Sequence, residues 1–117
     1  VVHRLERDAQ TMRTRLEELQ EALSDVSQRG GSGSEPTIAA RHDRIVSDLT
    51  AERDLVQQRL QDAVAALETI RLNLLCLHAG TGTVHSLTTD LGLARELARD
   101  IGVQVEAYRV VEQELRG

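Results

Sequence analysis

One stretch decides the fold of this chain: residues 36–79, PTIAARHDRIVSDLTAERDLVQQRLQDAVAALETIRLNLLCLHA. Apolar residues recur there at intervals of three and four, which predicts a single long α-helix. Pro36 suits its first turn, where the missing N–H has no partner in any case. One extra step of four separates Val56 from Leu60, and such a stutter marks a change of packing partners. The predicted seam contains Ile38, His42, Ile45, Leu49, Glu52 and Val56, then Leu60, Ala63, Leu67, Ile70, Leu74 and Leu77.

The end of this helix is apolar on two sides. Leu72, Leu75 and Cys76 lie on the face opposite to the seam, and a helix with two apolar faces is buried on both. Two possibilities follow: this end is either the middle of a three-helix arrangement or an interface between chains. The predicted interface residues are Leu67, Ile70, Leu72, Leu74, Leu75, Cys76, Leu77, Leu87, Leu91 and Ile101.

Residues 2–29 predict another helix with a narrow apolar seam. The intervals between its apolar residues alternate between three and four without a break, which is typical of a coiled coil. A seam of this width requires one partner helix rather than a deep core. The seam residues are Val2, Leu5, Ala9, Met12, Leu16, Leu19, Leu23 and Val26.

A third helix is predicted over residues 84–116. Gly80 suits the left-handed position after the middle helix, and Thr83 can cap the next one. Gly102 lies inside the third helix, where it marks either a close neighbour or a local weakness. Glu112 is the one polar residue in a heptad frame formed by Val84, Leu87, Leu91, Ala94, Ala98, Ile101, Val105, Tyr108 and Leu115.

The segment between the first two helices, residues 30–35, reads as a flexible linker. Its Gly-Gly-Ser-Gly-Ser run breaks helices and is long enough for an antiparallel hairpin. The same run is also what a protein engineer writes to replace a loop. Both origins stay open, and neither bears on function.

These patterns predict one all-α domain spanning residues 1–117. The chain has no Trp or Phe and one Tyr, so its core is aliphatic, as in helix seams. We expect an elongated antiparallel three-helix coiled coil or bundle, with helices at about 2–29, 36–79 and 84–116, three helices thick only near the stutter. Much of its seam stays exposed, so association into a larger bundle is expected. Because the chain starts in mid-pattern at Val1, we also expect a piece of a longer protein.

Composition disfavours several classes of partner. The net charge is -5, and arginines and acids are interspersed, so no basic face indicates nucleic-acid binding. Apolar runs fall far short of the ~20 residues needed to cross a bilayer, so no membrane insertion is expected. A single cysteine fits a reducing compartment, which favours a cytoplasmic location.

Residues that carry chemistry are few and scattered. Cys76, His78 and His85 lie close in sequence, but a zinc site needs four ligands, usually paired at short spacing. Cys76 is therefore expected to be a buried structural thiol, and no metal or cofactor is expected. No nucleophile, base and orienting group can be assembled, so the sequence predicts a protein that is not an enzyme.

One part of the chain is similar to a known class of protein tails. The runs AALETIRLNLL (65–75) and LHAGTGTV (77–84), with Ser-Leu-Thr at 86–88, resemble the C-terminal helical region of some bacterial serine/threonine protein kinases, where a coiled-coil tail follows the catalytic domain. The resemblance covers roughly residues 37–116, and kinase signature motifs are lacking. It implies an oligomerisation or docking tail of a bacterial signalling protein, without activity of its own.

The function expected from the sequence is therefore self-association. The leading hypothesis is a homodimerising coiled-coil module that brings flanking domains together. The alternative is an adaptor whose two-sided apolar end docks a helix of another protein.

Overall fold

The chain folds into three α-helices, α1 Val2–Arg29, α2 Pro36–His78 and α3 Val84–Arg116. The computed structural model describes residues 1–29 and 35–116, with side chains for 1–26 and 35–116; these residues contain no β-strand. The all-α prediction and the bounds of α1 and α3 are confirmed. α2 ends one residue before the predicted position, because Ala79 serves as its C-cap. The Gly-Ser run at 30–34 lies outside the described residues.

The connection between α2 and α3 is built by specific hydrogen bonds. Gly80 adopts a left-handed conformation, φ 80°, as predicted. The Thr81 N–H donates to the Cys76 carbonyl at 2.9 Å, and the Gly80 N–H donates to the Leu77 carbonyl at 3.1 Å. This pair of bonds is a Schellman motif, which satisfies the last carbonyls of α2.

The rest of this turn sets the start of α3. A Cβ at Gly82 would lie 2.9 Å from the Cβ of Cys76, so the close return of the chain requires glycine there. The Ser86 N–H donates to the Thr83 Oγ1 at 3.0 Å. Thr83 therefore caps α3, as predicted, by bonding an amide that lacks a helical partner.

The molecule is a thin rod. Its extents are 67 × 30 × 17 Å and its radius of gyration is 19.2 Å, against about 13 Å for a compact domain of this length. The 43 residues of α2 span about 65 Å at the usual helical rise. α2 alone therefore sets the length of the rod.

The two shorter helices cover different parts of α2. On α3, Tyr108 contacts Glu52 of α2, so α3 runs back along α2 to about residue 45 by helical rise. By the same rise, α1 runs back from Pro36 to about residue 63. Arg4 of α1 also lies against Gly102 of α3. The rod is thus three helices thick in its middle and two at each end, as the sequence predicts.

The core is a line of aliphatic side chains where the helices meet. All eight predicted seam residues of α1 are buried or half-buried. The core contains Leu5, Ala9, Met12, Leu19, Val56, Ala63, Ile70, Ala94, Ala98, Ile101 and Val105. Alanines at several of these positions allow the helix axes to approach closely.

Three predicted seam residues of α2 are about half exposed: Ile38, Ile45 and Leu74. The sequence predicts that much of the seam stays exposed, and at these three positions the cause is helix length. Ile38 and Ile45 lie at or beyond the end of α3, and Leu74 lies beyond the start of α1. The heptad frame defines their face but not whether a neighbouring helix reaches them.

Candidate association surface

An apolar surface occupies the end of α2 beside the turn. Leu72, Leu74 and Leu75 are 49%, 52% and 51% exposed, and Cys76 is exposed beside them. We call these four residues the tip surface. The prediction that Cys76 is a buried thiol is wrong, because neither α1 nor α3 covers this side of α2.

Two rows of residues on α2 explain why Leu74, one residue of the tip surface, is exposed. Glu52 and Asn73, three heptads apart, both contact α3, so this row faces α3. Each next residue is rotated by about 100°, so Leu60, Leu67 and Leu74 face the position that α1 takes further along. α1 ends before Leu74, and the third-helix position beside it is open.

Two of the predicted interface residues lie inside the chain's own core. Ile70 is 4% exposed and Ile101 is 0% exposed. Both side chains already pack within the three-helix assembly, so they have no surface to offer a second chain. For these two residues the interface prediction is corrected: they support the rod.

The remaining predicted interface residues lie between the two groups. Leu67, Leu87 and Leu91 are half-buried and pack against the core, and Leu77 is half-buried near the turn. Part of each side chain faces out. The structure thus places four predicted residues on the tip surface and four at its margin.

A polar cluster between α2 and α3 was missed by the sequence prediction. Asn73 Nδ2 donates a hydrogen bond to Asp90 Oδ2, and Ser86 Oγ donates to Asn73 Oδ1 at 3.3 Å. Asn73 thereby takes the inward position predicted for Leu74. A signal was present, because Asn73 and Asp90 are equally far from the turn and therefore face each other in an antiparallel hairpin. A polar pair at a seam fixes the register of the helices.

A second polar cluster joins all three helices. The Tyr108 hydroxyl donates to Glu52 Oε1 at 2.9 Å and accepts from Gln104 Nε2 at 2.6 Å. The Arg15 guanidinium lies 4.8 Å from the centre of the tyrosine ring, a cation–π contact. Burial, followed by the hydrogen bond to Glu52, raises the pKa of Tyr108 to about 12. The polar seam position Glu52 thus has a partner in α3.

The residues with metal-binding side chains do not converge. Cys76, His78 and His85 are all exposed, and within residues 1–29 and 35–116 no group of three His, Cys, Asp or Glu side chains has the geometry to hold a metal ion. Over the same part of the chain, no helix combines the length and apolar character needed to span a membrane.

The chain matches no protein-family model, and no curated protein or solved structure shows significant similarity to it. The association surface is therefore interpreted from its geometry and chemistry alone.

Proposed function

We propose that this chain is a non-enzymatic self-association module that pairs two copies through the tip surface. One observation carries the proposal: Leu72 and Leu75, which share one side of α2, and Leu74, which faces the open third-helix position, are each about half exposed at the same end of the helix. Contiguous apolar side chains of this kind mark interaction sites on soluble proteins. The third-helix position beside Leu74 is taken by neither α1 nor α3.

The area of the chain supports association. A monomeric protein of 12.9 kDa is expected to expose about 6,300 Å², whereas this chain exposes 8426 Å². The excess is about 2,000 Å², which exceeds the about 800 Å² per partner of a standard interface. The rod has enough surface to form a stable dimer without opening its core.

The leucines alone are too few to hold a dimer. Burying the exposed half of one leucine stabilises the dimer by about 1 kcal/mol. The six leucines of two copies therefore contribute about 6 kcal/mol in total. Association costs about 4–15 kcal/mol in lost freedom of motion. The interface must therefore include more of α2 than the tip surface.

The distribution of charge makes the tip end of the rod a better site for self-association than the opposite end. Residues 64–97 contain three acids, Glu68, Asp90 and Glu96, and two arginines, Arg71 and Arg95. Their charges nearly cancel, so the tips of two copies repel each other little. The opposite end, residues 17–48, has three arginines, Arg29, Arg41 and Arg44, against a larger set of acids. These acids are Glu17, Glu18, Glu21, Asp25, Glu35, Asp43 and Asp48.

Within a longer protein, pairing of this module would bring attached domains together. Its effect is a higher effective concentration of those domains, the role implied by the resemblance to bacterial kinase tails. The proposal includes a cytoplasmic setting, for which the single cysteine, held as a free thiol, is the support.

The test of the proposal is the assembly state of the double variant Leu74→Gln/Leu75→Gln. We expect wild-type protein to be a dimer by sedimentation equilibrium and the variant to be a folded monomer. Leu55→Gln is the matched control, because Leu55 is also about half exposed but lies far from the turn. An unchanged dimer in the double variant would refute the proposal.

The adaptor hypothesis makes the opposite prediction for the isolated chain. If the tip surface docks a helix of a different protein, the wild-type chain stays monomeric at high concentration. Sedimentation of the wild-type chain therefore distinguishes the two functions.

A further inference from the structure

Part of α2 forms one continuous outer face that runs from the tip surface toward the middle of the rod. Val64, Leu72 and Leu75 on this face are each about half exposed, and Leu67 is half-buried. Glu68 and Arg71 lie at its centre. We call these six residues the α2 face.

The two charged residues of the α2 face are paired with each other. Arg71 donates two hydrogen bonds to the Glu68 carboxylate, at 2.5 and 3.1 Å. Those bonds lower the pKa of the Glu68 carboxyl. An ionised pair surrounded by leucine and valine gives the face a polar centre with an apolar rim.

The α2 face begins where α1 stops covering α2. α1 starts beside about residue 63 of α2, and the face spans residues 64–75. A second helix can pack on this face antiparallel to α2, beyond the start of α1. Such a helix must carry apolar residues at both ends of its contact and complementary charges between them.

We propose that the helix taking this position is α2 of a second copy, paired antiparallel about a two-fold axis between Thr69 and Ile70. This pairing rests on the proposed function and adds its orientation and register. Residues equally far from the axis then face each other across the interface. Leu75 lies opposite Val64 of the second copy and Arg71 opposite Glu68, each contact occurs twice, and Leu67 and Leu72 lie at the two margins of the interface.

Charge complementarity selects this arrangement over a parallel one. In a parallel pair, Arg71 lies level with Arg71 of the second copy and Glu68 lies level with Glu68. Juxtaposed like charges at an interface are costly. The antiparallel pair instead forms two ion pairs between the chains, and their centre is enclosed by the apolar rim.

The experiment reverses one charge in each of two variants and then mixes the two variants. Glu68→Arg alone and Arg71→Glu alone each place like charges at the centre of the interface, so each should weaken its homodimer by about tenfold or more. Mixed in equal amounts, the two variants should form a heterodimer with wild-type affinity, measured by sedimentation equilibrium. Neither variant can repair the ion pair within its own chain, so only pairing between chains explains rescue on mixing.

The native cysteine supplies a second measurement that needs no substitution. In the antiparallel register, the Cys76 residues of two copies are about 20 Å apart along the helices, beyond the about 7 Å limit for a disulfide. Mild oxidation should therefore leave the wild-type dimer unlinked, whereas a parallel dimer becomes covalent.

The outcomes separate this pairing from the proposed function. A wild-type dimer that is rapidly linked through Cys76, or variants that do not combine on mixing, overturns the antiparallel register and leaves self-association standing. A monomeric wild-type chain overturns both. Helical content by circular dichroism confirms that each variant is folded before it is mixed.

Discussion

Tyr108 is the residue on which all three helices converge. Its hydroxyl bonds Glu52 of α2 and Gln104 of its own helix, and Arg15 of α1 packs on its ring. A hydrogen bond of this kind contributes about 1 kcal/mol to stability, and its directionality adds specificity. Glu52 and Tyr108 therefore fix how far α3 runs along α2.

The titration of Tyr108 tests this environment. The chain contains one Tyr and no Trp, so phenolate absorbance reports this group alone. Its pKa is raised to about 12, above the usual value of about 10. We expect phenolate to appear near pH 12 in folded protein and near pH 10 in urea, and Glu52→Gln should lower the folded value.

The raised pKa of Tyr108 also determines how the stability of the folded chain changes with pH. Between about pH 10 and about pH 12 the unfolded chain has lost the tyrosine proton while the folded chain retains it. The stability due to neutral Tyr108 is therefore complete below pH 10 and is lost as pH rises toward 12. Tyr108→Phe should remove this alkaline loss, and an equal loss in both proteins would contradict the assignment.

At the scale of the helices, the sequence predicts what is local and misses what depends on a neighbour. The α1 seam and the Gly80 and Thr83 caps follow from spacing and backbone chemistry, and all are confirmed. The exposure of Leu74 depends on where α1 begins relative to α2, and that of Cys76 on the absence of a helix on the outer side of α2; periodicity encodes neither. Whether Ile70 is buried inside the rod or between chains likewise depends on how the helices pack together, which periodicity alone does not determine.

Two glycines associated with α3 should respond to substitution in opposite directions. A Cβ at Gly92 meets no atom within 4 Å, so Gly92→Ala should stabilise the chain by about 0.5–1 kcal/mol through helix propensity. Gly80 in the preceding turn has φ 80°, so Gly80→Ala should destabilise by about 1–2 kcal/mol. Urea unfolding measures both, and stabilisation by Gly80→Ala would contradict the left-handed turn.

At the scale of the whole molecule, association and stability are linked. If two copies pair only when folded, raising the protein concentration shifts the equilibrium toward the folded dimer. A tenfold increase in concentration should raise Tm by about 2–4 °C. The Leu74→Gln/Leu75→Gln variant should show a Tm independent of concentration, and a wild-type Tm without this dependence would argue for a monomer.

The thin ends of the rod have one more consequence. Where only two helices lie together, few contacts oppose fraying, so the backbone there opens at a lower free energy than in the three-helix middle. The surface offered to a second copy is therefore on the softer part of the molecule. Formation of the dimer would order this end of the rod, so binding and local ordering occur together. The free energy of binding is then smaller by the cost of that ordering.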